Sequence, residues 1–174
     1  MNNVQMYPLA MRVMHWLMAA LILSLLFVGL SMVTSLGAWQ YTLLNWHKTA
    51  GLIAALALIV RLGIRLMSTK PALPSSMPKL QYYAAKLTHW AFYLLLGCMP
   101  LTGYLMQNAA GRPVMLFGQA LPQLISTDLA WYGLFRELHA WLSVLLMALI
   151  ILHITAALYH GLIKRDGVLK SMLK

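Results

Sequence analysis

Glu137-Leu138-His139-Ala140-Trp141-Leu142-Ser143-Val144-Leu145-Leu146-Met147-Ala148-Leu149-Ile150-Ile151-Leu152-His153-Ile154-Thr155-Ala156-Ala157-Leu158-Tyr159-His160-Gly161-Leu162-Ile163 is the stretch whose reading decides the fold. From Leu138 to Ile163 it contains no Lys, Arg, Asp or Glu. An α-helix needs about 20 apolar residues to cross the hydrocarbon layer, so this run is long enough to span it. A spanning β-strand needs only about ten and alternates, which this run does not. Two of its three histidines, His139 and His153, stand fourteen residues apart. At 3.6 residues per turn they fall about 40° apart in azimuth and share one face. At 1.5 Å per residue they are separated by about 21 Å in depth. One imidazole therefore lies toward each side of the membrane.

Three further segments have the same character, and the spans predicted are 10–34, 45–66, 82–106 and 132–163. The second is the least apolar, because only Thr49 to Val60 separates Lys48 from Arg61. Snorkelling of those long side chains rescues its ends. The third carries Pro100, which removes a backbone donor. The whole chain of 174 residues is 61% hydrophobic and 9% charged, with a mean hydropathy of +0.75. A soluble domain of this size carries about 25% charged residues. The first apolar run continues past twenty residues without a small-x-small cleavage site, so it reads as an uncleaved span rather than a signal peptide. Fold class is thus all-α integral membrane: one domain over 1–174, a bundle of four transmembrane helices.

Thirteen Lys and Arg against three acidic residues give a net charge of +10. These charges lie between the apolar runs, where they set topology and meet lipid headgroups, and no nucleic-acid surface is implied. Arg12, Arg61, Arg65, Lys70, Lys79, Lys86, Lys164, Arg165, Lys170 and Lys174 fall on one side; Lys48, Arg112 and Arg136 fall on the other. The excess marks the cytoplasmic side and puts both termini there. Lys70 to Pro78 holds three prolines and cannot be helical throughout. The 107–131 connection, with Gly111, Pro113, Gly118 and Pro122, is long enough to cap the outer face.

All six histidines, His15, His47, His89, His139, His153 and His160, lie in or at the edges of spans. Ionisable groups there are costly and mark function. Depth pairs His15 with His153 on the inner side and His47 with His139 on the outer side. A bis-imidazole site without cysteine or carboxylate suits the iron of a haem, whose porphyrin supplies the equatorial ligands. Tetrahedral zinc would want three or four protein ligands at one depth. Cys98 is the one cysteine and there is no C-x-x-C-H, so the two haems expected are non-covalent, b-type. Gly51 and Gly29 sit on the histidine faces, where a missing side chain can admit a porphyrin ring or simply let helices pack. Arg61 is level with the inner site and suits a propionate; Lys48, Arg112 and Arg136 lie near the outer one. Trp16, Trp46, Trp90, Trp131 and Tyr132 read as an interfacial aromatic belt.

Several segments together resemble a known family. They are Met14-His15-Trp16, Asn45-Trp46-His47-Lys48-Thr49-Ala50-Gly51-Leu52, Met99-Pro100-Leu101-Thr102-Gly103-Tyr104-Leu105-Met106, Glu137-Leu138-His139-Ala140-Trp141-Leu142, His153 through His160, and Arg165-Asp166-Gly167-Val168-Leu169. In combination the chain resembles the bacterial cytochrome b561 proteins, related to the cytochrome b subunits of nickel hydrogenases and formate dehydrogenases. The resemblance covers essentially the whole chain. It implies a four-helix haem bundle in the bacterial inner membrane, with iron ligands at positions matching His15, His47, His139 and His153. Members often carry two adjacent histidines after the last ligand; here His160 stands alone before Gly161. A quinone-facing role suits His160, as carbonyl donor and proton carrier, with His89 the other candidate for that site.

What the resemblance implies is an oxidoreductase that takes electrons from superoxide, or another donor, at the periplasmic face and reduces ubiquinone or another quinone. Lys48, Arg112 and Arg136 would attract the anion to the outer haem. The alternative is a haem-bearing anchor passing electrons between quinone and a peripheral redox subunit. A third reading, a small proton-conducting channel or transporter, has no redox role and no reducible haem.

Overall fold

The computed structural model describes residues 6–34, 37–69 and 78–173. Most of the predicted proline-rich connection, residues 70–77, lies outside the described residues, as does Lys174. In chain order the elements are α1 (Leu9–Thr34), α2 (Gln40–Met67), α3 (Lys79–Ala109), a two-residue strand pair β1 (Met115–Leu116) and β2 (Gln119–Ala120), and α4 (Leu129–Leu158). A π-helical turn (Tyr159–Lys164) and a short α5 (Lys170–Leu173) follow.

The helices begin a few residues earlier than hydropathy alone predicts, because polar groups define their ends. Asp128 accepts from the Trp131 amide at 2.9 Å and starts α4 three residues before Tyr132. Gln40 Nε2 donates to the Met32 carbonyl at 2.6 Å, fixing the first turn of α2 against the last turn of α1. Helix α3 continues unbroken through Pro100.

Among the described residues, three helices are long and apolar enough to cross a membrane: α1, α2 and the continuous run Leu129–Lys164. Large side chains such as Leu17, Phe27, Ile59, Leu94 and Trp141 stand exposed along them and along α3, a surface suited to lipid and not to water. The chain is therefore a multi-pass membrane protein. Helix α3 has 31 residues but is not in that apolar set; its central stretch carries His89, Trp90, Tyr93, Pro100 and Tyr104 among the apolar residues.

Side-chain contacts give the helix directions. Gly29 of α1 lies beside His47 of α2, Leu58 of α2 reaches Gly97 of α3, and Arg65 of α2 reaches Tyr93. His139 of α4 meets Met99 and Gly103 of α3, whereas His153 meets Phe92 and His89. Each helix thus runs antiparallel to the one before it, an up-down bundle. The close backbone neighbours are α1 with α2, α2 with α3 and α3 with α4. Helix α4 makes no comparable backbone approach to α1 or α2, so the space between them is bridged by side chains. Leu146, midway between His139 and His153 in sequence, is the largest fully buried side chain among the described residues, 2% exposed.

The connection after α3 folds over one end of the bundle. Phe117 (φ 49°) and Gly118 (φ 81°) form the two-residue turn between β1 and β2, both in the left-handed region that such tight hairpins require. Asn108, 5% exposed, anchors the return: its Oδ1 accepts from the Leu124 amide at 2.6 Å and its Nδ2 donates to the Tyr104 carbonyl at 3.1 Å. The Tyr104 hydroxyl donates to the Pro122 carbonyl. The Asp128 amide closes the loop on the Ala109 carbonyl at 3.0 Å.

Candidate functional site

At the capped end, His47 from the second turn region of α2 faces His139 from α4, with ring centroids 6.3 Å apart. At the opposite end, His15 from α1 faces His153 from α4 at 6.2 Å. Helix periodicity explains why one helix serves both ends: fourteen residues is close to four full turns. Among the described residues no three His, Cys, Asp or Glu side chains converge to cage a bare cation. What converges are opposed imidazoles. A metal held between two imidazoles at about 2.0–2.1 Å from each nitrogen sets the ring centroids about 6.3 Å apart, a spacing that both pairs match.

The surroundings fit a porphyrin as well. His47 Nδ1 is buried with no hydrogen-bond partner, leaving its orientation to packing. A Cβ at Gly29 would stand 3.6 Å from His47 Cε1, while one at Gly51 would meet nothing within 4 Å. Gly29 therefore clears the imidazole of α2, not that of its own helix, and Gly51 opens space one turn past His47.

His139 has the best-defined hydrogen-bonding surroundings of the four. Its Nδ1 lies 3.1 Å from the Met99 carbonyl and 3.1 Å from Thr102 Oγ1. The carbonyl can only accept, so Nδ1 carries the proton and Nε2 keeps its lone pair for a metal. The Thr102 hydroxyl sits within reach of the Cys98 and Met99 carbonyls at 2.9 and 3.0 Å, which fixes its position. Gly103 completes the seat, since a Cβ there would stand 3.2 Å from His139 Cε1. None of these three was singled out by spacing, because they belong to α3 and meet His139 only through α3–α4 packing. The sequence signal available was the Pro100-Leu101-Thr102-Gly103 run itself.

At the end that holds His15 and His153, Arg61 Nη2 lies 3.0 Å from His15 Nδ1. A guanidinium only donates, so this contact places the proton of His15 on Nε2. Ligation through Nε2 requires Arg61 to swing off Nδ1, the movement that pairing with a haem carboxylate would bring about. Arg12, one turn before His15, has a buried Nε without a partner.

His89 is brought to this end too, its ring centroid 6.3 Å from that of His153, as close as His15. Phe92 packs edge-on against His153 at 5.3 Å. His160 lies beyond, on the π-turn, and its Nδ1 bonds Asp166 Oδ2 at 2.5 Å. Lys48 follows His47 on α2, half-buried; Arg136 is exposed one turn before His139; Arg112 is exposed in the turn after α3. None of the three forms an ion pair among the described residues.

Comparison with known proteins places the chain in a family. The profile of the prokaryotic cytochrome b561 family matches residues 6–174. Cytochrome b561 homolog 2 of Escherichia coli (strain K12) is 32% identical, covering 99% of this chain and 93% of that protein. Cytochrome b561 homolog 1 of the same organism is 25% identical, over 92% of each chain. A Yersinia pestis protein named "Probable superoxide oxidase CybB" is 24% identical, over 91% of this chain and 90% of its own length. With two imidazole pairs inside a membrane bundle and a match along its whole length, the chain belongs to the prokaryotic cytochrome b561 family of membrane electron-transfer proteins.

Proposed function

We propose that this chain carries electrons across the bacterial inner membrane, from superoxide at the periplasmic face to a quinone near the cytoplasmic face. The observation that carries the reading is the pair of opposed imidazole sets, 6.3 and 6.2 Å between centroids, at the two ends of one helix. Two b-type haems, one between His47 and His139 and one between His15 and His153, supply the one-electron relay. In this reading α3 crosses as the fourth span and both termini are cytoplasmic, following the excess of Lys and Arg on that side.

The residues divide the work. His139 is held in its ligating tautomer by Met99 and Thr102. Arg61 and Arg12 supply cations for carboxylates at the inner end. His89 and His160 line the inner side, where a quinone headgroup needs hydrogen-bond donors and proton carriers. Lys48, Arg112 and Arg136 raise the local concentration of an anion at the outer end. The superoxide assignment is supported by that charge and by the name of the Yersinia relative.

Histidine replacement tests the ligand set. H47A or H139A removes the outer haem and leaves about one haem per chain, and H15A or H153A removes the inner one. Reduced-minus-oxidised spectra with haem quantification read the result; two haems retained in all four variants would refute the assignment. Because His89 stands as near His153 as His15 does, H89A is the control, and it keeps both haems. Purified protein with quinone should consume superoxide, and the rate should fall severalfold from about 10 mM to about 500 mM salt as exposed cations are screened. A rate independent of salt removes the outer cations from the account. Co-purification of a peripheral redox subunit would favour the anchor role instead.

A further inference from the structure

Asp166 is the one carboxylate on the side that carries ten Lys and Arg, yet its partner is a histidine. The π-turn that ends α4 runs into Arg165 at φ 52° and Gly167 at φ 86°, and this left-handed pair reverses the chain. The reversal turns Asp166 back onto His160, Oδ2 to Nδ1 at 2.5 Å, with side chains 14% and 17% exposed. Asp166 Oδ1 accepts from the Val168 amide at 3.2 Å, which orients the carboxylate. Gly161 makes the approach possible, because a Cβ there would stand 2.3 Å from Leu169 Cδ2. The returning tail is tied to the start of the chain by Trp16 Nε1 donating to the Met172 carbonyl at 3.0 Å and by the Tyr7 amide donating to the Ser171 carbonyl at 3.1 Å. A half-buried carboxylate–imidazole pair is thus built about two turns past His153 by five separate features of the tail.

We infer that Asp166 is a positioning residue for His160, fixing the proton on Nδ1 so that Nε2 faces the quinone carbonyl as the proton-exchange atom. This rests on the proposed quinone reaction. Two superoxide ions each lose one electron to become two molecules of dioxygen. The quinone gains those two electrons and two protons to become the quinol. The imidazolium gives up its Nε2 proton to a quinone oxygen and is reprotonated from the inner aqueous phase before the second transfer. Asp166 keeps its charge throughout and stabilises the imidazolium, as a carboxylate bonded to the far nitrogen does in other acid–base pairs.

The test uses full-length protein whose haems have been reduced with stoichiometric dithionite. Reoxidation is followed by stopped flow with a short-chain ubiquinone, which takes protons, and separately with ferricyanide, which takes electrons alone. D166N should slow the quinone reaction at least about tenfold, the usual scale for removing such a supporting group. The ferricyanide rate should stay within about twofold, and D166E should recover most of the quinone rate. H160Q should behave as D166N does. A D166N rate with quinone equal to wild type overturns the inference, and so does equal slowing with both oxidants, which would make Asp166 a structural residue only. If wild-type haems are reoxidised by ferricyanide but not by quinone, the quinone reading itself is the part that fails.

Discussion

Gly103 offers the most direct test of how α3 prepares the outer site. A Cβ at this position would lie 3.2 Å from His139 Cε1 and 3.5 Å from Nδ1, so even alanine forces the ring to give by a few tenths of an ångström. The ring has nowhere free to go. Its Nδ1 is held at 3.1 Å by both the Met99 carbonyl and Thr102 Oγ1, and retreat stretches those contacts. Disturbing such supporting contacts costs about 10–100-fold in metal affinity, which is about 1.4–2.8 kcal/mol. G103A should therefore weaken outer-haem retention about tenfold while the inner haem is untouched. G103L, whose branch needs the volume of the imidazole, should lose the outer haem altogether. The assay is haem per chain after extended detergent washing, with a redox titration to separate the two haems. Two tightly held haems in G103L, with unshifted midpoint potentials, would refute the proposition that His139 on its Gly103 seat carries the outer haem.

N108A removes a buried side chain that accepts from Leu124 and donates to Tyr104, and should lower stability by about 2–3 kcal/mol, read as a fall in the detergent unfolding midpoint with haem spectra unchanged at low temperature. An unchanged midpoint would mean the outer loop is held by other contacts. R61L takes a fixed cation from beside His15 and should lower the midpoint potential of the inner haem, because a nearby positive charge favours the reduced, more electron-rich form. Potentiometric titration reads the shift, and no change or a rise would show that Arg61 does not face that haem.

Hydropathy and the helical period were sufficient to locate all four long helices, since apolar runs near twenty residues in a chain with 9% charge have few other ways to fold. Their ends were less legible. The early start of α4 depends on Asp128 accepting from the Trp131 amide, and that of α2 on Gln40 reaching Met32; both are single polar bonds that an averaged hydropathy does not register.

The sequence by itself determined that six histidines sit in or at the edges of long helices and that His139 and His153 share a face about 21 Å apart, because these follow from residue identity and the rise of an α-helix. Only the tertiary structure decided which other groups meet them. Met99, Thr102 and Gly103 become the seat of His139 when α3 and α4 pack antiparallel; Arg61 reaches His15 across 46 residues; His89 arrives beside His153 on a different helix from His15. The π-turn and left-handed reversal that bring Asp166 to His160 depend on Gly161 fitting under Leu169. Spacing along one helix fixes azimuth and depth, whereas contacts between helices are set by how their side chains interlock, and no local pattern encodes that.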